Sequence, residues 1–219
     1  MSLTEQTREL TNNFINGLDE TDKAAVMQGF DVITKSPYGE NALNVGEQAK
    51  DFTLPNATGG DLSLTALLRD GPLVISFYRG GWCPYCNLEF KALADALPKI
   101  RELGANLIGI SPELPDNSMS TKEKHQLPFD VLSDVGNKVA REYGIVMDVP
   151  QSMVPLYLKW GLDVPAANGD DSWELPIPAA YVIDRDGTIS FAFINKNYIE
   201  RCEPVEIIKA LEVLAAAAE

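Results

Sequence analysis

Apolar side chains recur near the start of the chain at steps of three, four and seven, the spacing that places them on one face of a helix. This pattern predicts one helix over residues 2–19 and a second whose apolar face includes Val26 and Ile33. Prolines and glycines then mark a linker. We therefore interpret residues 1–40 as an N-terminal helical extension of a domain that spans residues 41–219.

In the rest of the chain, short apolar runs of strand length alternate with helical patterns. The run over residues 73–79 is predicted to be a central strand, and a helical pattern connects it to a parallel strand over residues 106–111. Asp186 and Gly187 indicate a hairpin, and Pro204 begins a last helix. Other predicted elements are a strand at 52–54, a helix through 64–68, a polar loop from 112 to 125, a strand at 129–133 and a helix at 139–143. Together they predict an α/β fold with a mixed central sheet and helices on both faces.

The stretch RGGWCPYC joins the predicted central strand to the helical pattern after it, and it contains Cys83 and Cys86. Residues three apart at a helix start are close enough to form a disulfide. Pro84 suits the first helical position, where no N–H donor is needed, so we predict that the helix begins at the cysteines. The positive end of its dipole, together with Arg79, favours a thiolate there, whereas Glu89 opposes it. The pattern indicates a redox-active pair.

The two sulfurs are predicted to be inequivalent. Cys86 belongs to an apolar helical stripe that continues through Phe90, Leu93, Leu97 and Ile100. Cys83 precedes this stripe, beside Trp82 at the helix tip, where an outside molecule can reach it. We therefore expect Cys83 to be the attacking thiol and Cys86, with a pKa raised by burial, to be the resolving one.

Residues 149–178, named here the proline-rich segment, include Trp160 and Trp173. We predict an irregular insertion with a helix near residues 154–160. Loops of this length are uncommon unless they are functional. The segment is therefore expected to cover the cysteine site.

Composition narrows the function further. Three cysteines among 219 residues are too few for a disulfide-stabilised scaffold, so the pair is more consistent with catalysis than with structure. The net charge of −14 argues against nucleic acid and anionic membranes as partners. The N-terminus has no secretory signal pattern, and no apolar run is long enough to span a bilayer. We expect a cytoplasmic protein.

The segment VGEQAKDFTLP, the motif FYRGGWCPYC and the motif PAAYVIDRDGTI follow one another in an order that is typical of one family. The sequence resembles the peroxiredoxin-like branch of the thioredoxin superfamily, the alkyl hydroperoxide reductase and thiol-specific antioxidant group, over residues 45–214. The resemblance implies a thioredoxin-like fold with an N-terminal strand extension. The sequence has no phosphate loop, flavin motif or metal-ligand spacing, so no cofactor or metal is expected.

This family carries the pattern Pro-x-x-x-Thr-x-x-Cys, in which the cysteine attacks peroxide and the threonine and a distant arginine hold the peroxide oxygens. The resemblance places Cys86 at the attacking position, Cys83 at that of the threonine and Arg79 at that of the proline. Pro178 takes the place of the distant arginine. Two of the three partners are therefore absent, which argues against efficient peroxide chemistry.

The motif WCPYC resembles the tryptophan-led cysteine pair of thioredoxin, with Trp82, Pro84 and Tyr85 as supporting residues. Pro178 then resembles the cis-proline that faces the pair in thioredoxin and helps to bind a substrate chain. The family pattern indicates Cys86 as the attacking residue, whereas the burial pattern indicates Cys83. We follow the burial pattern.

Our leading interpretation is a thiol–disulfide oxidoreductase in which Cys83 attacks a disulfide or other oxidised sulfur and Cys86 resolves the mixed species. A thioredoxin-like protein or a low-molecular-weight thiol would then reduce the pair. The alternative enzyme is a thiol peroxidase that reduces hydroperoxides through a sulfenic acid. A third hypothesis, from a different class, is a redox-switched binding module in which disulfide formation moves the proline-rich segment.

Other interpretations of the cysteines stay open. The pair could be half of a zinc site completed by His125 or Cys202, although no second pair has metal-ligand spacing. CPYC also occurs in glutaredoxins, which are far shorter than this chain. Cys202 is a candidate distant resolving thiol and His125 a candidate proton donor, but an incidental position is the more frequent case for each. A homodimer is a further hypothesis, since the N-terminal extension can pack on the domain or on a second copy.

Overall fold

The computed structural model describes residues 1–217 of the chain. The helices are α1 (Leu3–Gly17), α2 (Glu20–Lys35), α3 (Leu64–Asp70), α4 (Pro84–Glu102), α5 (Pro115–His125), α6 (Lys138–Glu142), α7 (Val154–Lys159), α8 (Val164–Asn168) and α9 (Pro204–Ala217). The strands are β1 (Thr53–Pro55), β2 (Asp61–Ser63), β3 (Leu73–Phe77), β4 (Asn106–Ser111), β5 (Asp130–Ser133), β6 (Val146–Asp148), β7 (Glu174–Pro176), β8 (Ala179–Ile183) and β9 (Ile189–Ile194). Within residues 1–217, no helix is both long enough and apolar enough to cross a membrane.

A mixed sheet with the strand order β5-β4-β3-β8-β9 forms the centre of the molecule. Strand β4 is parallel to β3 and to β5, whereas β8 is antiparallel to β3 and to β9. Every residue of β3 is buried, because both faces of this central strand are covered. The predicted central strand, its parallel neighbour and the hairpin are confirmed.

The two faces of the sheet are covered by different elements. Phe77 and Tyr78 are neighbours in sequence and therefore contact opposite sides. The ring of Tyr78 packs against Phe90 of α4 at a centroid distance of 4.5 Å, and that of Phe77 packs against Tyr143, which follows α6, at 5.1 Å. Gly109 of β4 leaves room for the Phe90 ring, since a side chain there would collide with it. Helix α4 is thus fixed closely against the sheet.

Residues 112–125, predicted to be a polar loop, instead contain helix α5. This helix buries Ser118 and Thr121 rather than large apolar side chains. The hydroxyl of Ser118 shares a hydrogen bond of 2.8 Å with that of Ser133 in β5. An interface of small polar side chains leaves no apolar periodicity in the sequence, and the loop prediction was wrong for this reason.

The first N-terminal helix, α1, packs on the helix that carries the cysteines. Thr11 of α1 shares a hydrogen bond of 3.1 Å with the hydroxyl of Tyr85 in α4. The carboxylate of Glu203 accepts a hydrogen bond of 2.7 Å from the backbone N–H of Thr4, which satisfies an otherwise unpaired donor at the start of α1. The division of the chain at residue 40 stays a prediction, and the last two residues of the predicted 41–219 domain lie outside the described residues.

The proline-rich segment is more regular than predicted. It contains the expected helix as α7, and also α8 and strand β7, which pairs with β6. Apolar residues in and beside it form a second, smaller core of Val149, Met153, Tyr157, Val164 and Leu175. Because Trp82 packs against this core, the segment lies directly over the cysteine motif.

Candidate active site

Helix α4 begins at Pro84 with Cys83 as its N-cap residue, which confirms the predicted helix start. The backbone N–H of Cys83 donates a hydrogen bond of 3.0 Å to the carbonyl of Gly80. Gly80 has a φ of +148°, and the indole of Trp82 occupies the space that a side chain at Gly80 would need. A glycine is therefore required for this tight connection between β3 and α4.

The loop before Cys83 is held from two sides. The backbone N–H of Gly81 donates a hydrogen bond of 2.8 Å to the carboxylate of Glu113, which is buried at the end of β4. The side-chain amide of Asn87 in α4 donates a hydrogen bond of 3.0 Å to the carbonyl of Gly81. Burial raises the pKa of Glu113 to about 7, and the negative charge of Cys83 acts in the same direction.

Both sulfurs of the motif are buried as free thiols, with exposed fractions of 1% for Cys83 and 0% for Cys86. Cys83 lies at the helix tip, as predicted, but its sulfur is buried there rather than open to the surface. The reason is that α1 packs beside α4 and the proline-rich segment packs over Trp82. Neither contact can be recognised from the sequence around the cysteines.

Two buried guanidinium groups surround the sulfurs. Nη1 of Arg79 lies 4.0 Å from Sγ of Cys83. Nη2 of Arg201 lies 3.9 Å from Sγ of Cys83 and 3.5 Å from Sγ of Cys86. Nη1 of Arg201 also forms a fully buried ion pair of 2.6 Å with Glu89 of α4. Glu89, which the sequence suggests as an opponent of the thiolate, is thus paired with a cation.

These surroundings give the two sulfurs opposite protonation behaviour. Burial alone would raise the pKa of Cys83, but the hydrogen bond from the Cys86 thiol and the charges of Arg79 and Arg201 hold it well below its usual value. Burial raises the pKa of Cys86 well above its usual value, and the hydrogen bond to Cys83 raises it further. Of the two sulfurs, Cys83 is therefore the one that loses its proton first, in the order expected from the sequence.

Arg79 is surrounded by aromatic rings. Its guanidinium donates a hydrogen bond to the hydroxyl of Tyr157 in α7 and lies 3.9 Å from the ring centroid of Tyr198 and 5.2 Å from that of Trp82. Among residues 1–217, no carboxylate forms an ion pair with Arg79. The thiolate of Cys83 is therefore its nearest compensating charge.

A cavity of about 310 Å³ leads to this charged centre. Its wall comprises Leu10, Thr11, Phe14, Ile15, Phe30, Arg79, Trp82, Cys83, Pro84, Tyr85, Met153, Tyr157, Trp160, Leu162, Tyr198 and Ile199. Cys83 belongs to this wall and Cys86 does not. The sulfur with the lowered pKa is thus the one that a small molecule in the cavity meets.

The predicted supporting residues Arg79, Trp82, Pro84 and Tyr85 all line this cavity. Pro178 does not, and residues 1–217 contain no cis peptide bond, so the predicted cis-proline is wrong. Pro178 is buried between β7 and β8, where β8 continues directly into the central sheet. It offers no free backbone beside the sulfurs.

Neither of the two remaining candidates lines the cavity. Sγ of Cys202 is buried and contacts the carbonyl of Glu203 at 3.6 Å and the carboxylate of Glu206 at 3.7 Å. His125 lies at the end of α5 and is not part of the cavity wall. In the part of the chain that the structure describes, no three His, Cys, Asp or Glu side chains are grouped in a way that could hold a metal ion.

Arg201 is the most important residue that the sequence analysis missed. It lies 118 residues after Cys83, and no motif connects the two. One signal could have indicated it: Glu89 lies on the buried face of α4, three residues after Cys86, and a buried carboxylate requires a partner. Tyr157, Tyr198 and Glu113 carried no comparable signal.

Comparison with known proteins agrees with this architecture. The sequence profile of the AhpC/TSA family matches residues 45–192. The chain is 30% identical over 159 residues to peroxiredoxin Q, chloroplastic, of Gentiana triflora, a match that covers 73% of this chain and 63% of that protein. It is 30% identical over 171 residues to putative peroxiredoxin Q, chloroplastic, of Oryza sativa subsp. indica, covering 77% of this chain and 68% of that protein. The chain thus spans less than two thirds of the gentian protein and slightly more of the rice protein.

Among solved structures, peroxidoxin BcpB from Mycobacterium tuberculosis matches with a TM-score of 0.62 and 24% identity, over 80% of this chain and 97% of that one. This likeness confirms the predicted thioredoxin-like fold. The family profile covers most of the chain, includes both cysteines and agrees with the resemblance of the motifs. The chain therefore belongs to the AhpC/TSA family.

Proposed function

We propose that the protein is a thiol peroxidase that reduces hydroperoxides with Cys83 and Cys86. The observation that carries this proposal is the position of the Cys83 sulfur, charged, between two guanidinium groups and in the wall of a small cavity. Family membership and the similarity to peroxiredoxin Q proteins support the same activity.

In the proposed reaction, the thiolate of Cys83 attacks the terminal oxygen of a hydroperoxide. The O–O bond breaks, Cys83 becomes a sulfenic acid, and the departing alkoxide takes a proton from solvent to leave as an alcohol. The thiol of Cys86 then condenses with the sulfenic acid, which forms the disulfide and releases water. A low-molecular-weight thiol that enters the cavity can restore the dithiol by thiol–disulfide exchange, and a thioredoxin-like protein can do so once α1 or the proline-rich segment moves away from Cys83.

The two guanidinium groups can supply the hydrogen-bond donors that the family threonine and distant arginine provide elsewhere. The family threonine and distant arginine are absent, but Arg79 and Arg201 bring cationic donors to the same sulfur from other places in the chain. Arg79 lines the cavity and can stabilise negative charge that develops on the departing oxygen. The argument against efficient peroxide chemistry therefore loses its basis.

Burial favours a peroxide over a protein disulfide as the oxidant. Cys83 has an exposed fraction of 1%, so a folded protein cannot bring a disulfide sulfur to it unless the cover moves. A hydroperoxide needs only the cavity. The disulfide oxidoreductase that led the sequence analysis is thus the second candidate, and it would share the same cysteine pair.

The order of the two sulfurs is part of the proposal. The family pattern assigns the attack to Cys86, but this sulfur is fully buried, has a raised pKa and lies outside the cavity wall. Cys83 has the lowered pKa and faces the cavity. We therefore assign the attack to Cys83 and the resolving step to Cys86.

Stopped-flow measurement of hydroperoxide consumption, with mass spectrometry of the trapped sulfenic acid, tests this assignment. We expect Cys83→Ser to abolish consumption, and Cys86→Ser to consume one equivalent and retain a sulfenic acid on Cys83. Cys202→Ser is the matched control and should behave like the unchanged protein. If Cys83→Ser still consumes one equivalent and Cys86→Ser consumes none, the order of the two sulfurs is reversed.

Little turnover with every hydroperoxide and disulfide would instead favour the redox-switched binding module. The cytoplasmic location, the identity of the reductant and a homodimeric state stay predictions.

A further inference from the structure

We propose that the N-terminal extension and helix α7 together form the binding site for the organic part of the substrate, a bulky apolar hydroperoxide, and that Phe14 and Trp160 determine this specificity. The inference rests on the proposed peroxidase function and deepens it. Three properties of the cavity over Cys83 support it: the segments that form its wall, the polarity of that wall and its volume.

Seven of the sixteen residues in the wall of the cavity lie outside the region that matches the family profile. That profile covers residues 45–192, whereas wall residues are contributed before it by α1 and α2 and after it by the loop following β9. The residues concerned are Leu10, Thr11, Phe14, Ile15, Phe30, Tyr198 and Ile199. This chain therefore builds part of its substrate site from segments that the family profile does not describe.

The wall separates a polar end from an apolar body. The charged groups in it are the thiolate of Cys83 and the guanidinium of Arg79, which lie together at one place. Elsewhere aliphatic and aromatic side chains predominate, with Thr11, the tyrosine hydroxyls and the indole N–H groups as the polar exceptions. The hydroxyl of Thr11 shares a hydrogen bond with that of Tyr85, and the hydroxyl of Tyr157 accepts one from Arg79, so both already have a partner within the protein.

Such a surface matches a molecule with one peroxide group and an apolar remainder. An apolar body gains free energy by leaving water for this wall, whereas hydrogen peroxide has no apolar surface to bury. The volume of about 310 Å³ lies at the lower end of the range for small-molecule sites, about 300–1,000 Å³. A compact aromatic or branched hydroperoxide is therefore a better fit than a long extended chain.

Phe14 and Trp160 lie where the cavity opens. Phe14 lines the cavity and is 36% exposed, so it belongs both to the wall and to the surface. Its ring meets that of Trp160, which directly follows α7, edge to face at a centroid distance of 5.3 Å. This pair joins the N-terminal extension to the proline-rich segment, and removal of either ring would widen the opening and remove apolar contact surface.

Two measurements on the full-length reduced protein test the inference. The first compares kcat/KM for cumene hydroperoxide and for hydrogen peroxide. The second measures binding of 2-phenylpropan-2-ol, the unreactive alcohol product of cumene hydroperoxide, by calorimetry. We expect kcat/KM to be at least tenfold higher for cumene hydroperoxide, and the alcohol to bind with a stoichiometry of one.

Variants locate the site. Phe14→Ala and Trp160→Ala should each lower the ratio of the two kcat/KM values at least fivefold, mainly through KM for cumene hydroperoxide, and weaken alcohol binding by a similar factor. Met27→Ala is the matched control, since Met27 is an exposed apolar residue of the same extension outside the cavity wall. Circular dichroism checks that each variant is folded, and the two substituted residues lie in separate parts of the chain, Phe14 in α1 and Trp160 directly after α7.

The outcomes separate this inference from the proposed function. Efficient turnover of hydrogen peroxide without preference for cumene hydroperoxide, or a ratio that neither variant changes, would overturn the inference and leave the peroxidase intact. If neither hydroperoxide is consumed but the alcohol binds and both variants weaken it, the peroxidase proposal fails and the apolar site stands. If the alcohol does not bind either, both fail.

Discussion

Arg79 and Arg201 approach the same sulfur but are stabilised in different ways. Arg201 forms a buried ion pair of 2.6 Å with Glu89, on the helix that carries the cysteines. Arg79 has no such partner among residues 1–217 and is held by the hydroxyl of Tyr157 and the ring of Tyr198. The first cation is compensated whatever the state of the sulfur, whereas the second is compensated chiefly by the thiolate.

This difference separates a structural role from a chemical one. A buried ion pair that loses one partner leaves an uncompensated charge in the core. A cation whose counter-charge is the reacting sulfur instead changes its energy when that sulfur is oxidised or protonated. We therefore expect substitutions at Arg201 to act first on stability and substitutions at Arg79 to act first on reactivity.

Arg201→Met should have the largest effect on stability, because it leaves Glu89 buried without its cation. We expect the free energy of unfolding to fall by about 3–5 kcal/mol in urea titrations. The double variant Arg201→Met with Glu89→Gln is the control and should recover most of this loss, since no unpaired charge then remains. Equal losses in the single and the double variant would contradict the structural role.

Arg79→Met should act mainly on the sulfur. Removal of this charge raises the pKa of Cys83, so alkylation by iodoacetamide near neutral pH should slow, and peroxide turnover should fall by about 10²–10³-fold. Arg79→Lys retains the charge and should recover part of the reactivity. An unchanged pH profile of alkylation in Arg79→Met would show that Arg201 alone sets the pKa.

Glu113 makes the stability of the folded protein depend on pH. Its pKa is raised from the ordinary 4.5 to about 7, so the folded protein binds a proton that the unfolded chain has already released between these values. The free energy of unfolding should therefore fall by up to about 3 kcal/mol as the pH rises from 4.5 to 7, because a pKa difference of one corresponds to about 1.4 kcal/mol. Urea titrations of Glu113→Gln across this range should lack that decrease, and a decrease of the same size in the variant would assign it to another group.

Tyr157→Phe should have the smallest effect of the four. It removes the hydroxyl that accepts a hydrogen bond from Arg79 but keeps the ring and both cations. We expect a loss of about 1.5–3 kcal/mol in the free energy of unfolding, with little change in the alkylation profile of Cys83. Tyr143→Phe is a suitable control, since the hydroxyl of Tyr143 makes only a 3.4 Å contact with the carbonyl of Lys50. A large shift of the alkylation profile would mean that Tyr157 positions Arg79 over the sulfur.

Local patterns predicted the frame of the molecule well. The apolar run of β3, the proline at the start of α4 and the Asp-Gly turn of the hairpin each act on their own neighbours, so their signals lie within a few residues. Cys86 was correctly placed in the core for the same reason. The opposite protonation tendencies of the two sulfurs also followed from their positions on one helix.

What the sequence did not reveal depends on long-range packing. Arg201 reaches the sulfurs from a loop that is remote in sequence, and Cys83 is buried because α1 and the proline-rich segment close over it. The cis form of Pro178 was inferred from a resemblance to thioredoxin, but β8 here continues directly into the sheet. Burial of the cysteine motif depends on segments that are distant in the sequence, and the residues of the motif do not indicate which segments these are.

The hydrogen bond between the two thiols has a consequence for proton transfer. Cys86 keeps its hydrogen while Cys83 carries the charge, so one shared proton makes two chemically identical side chains unequal. When Cys86 later displaces the hydroxyl from an oxidised Cys83, that same hydrogen can depart with it as water. Disulfide closure therefore requires no acid or base from outside the pair.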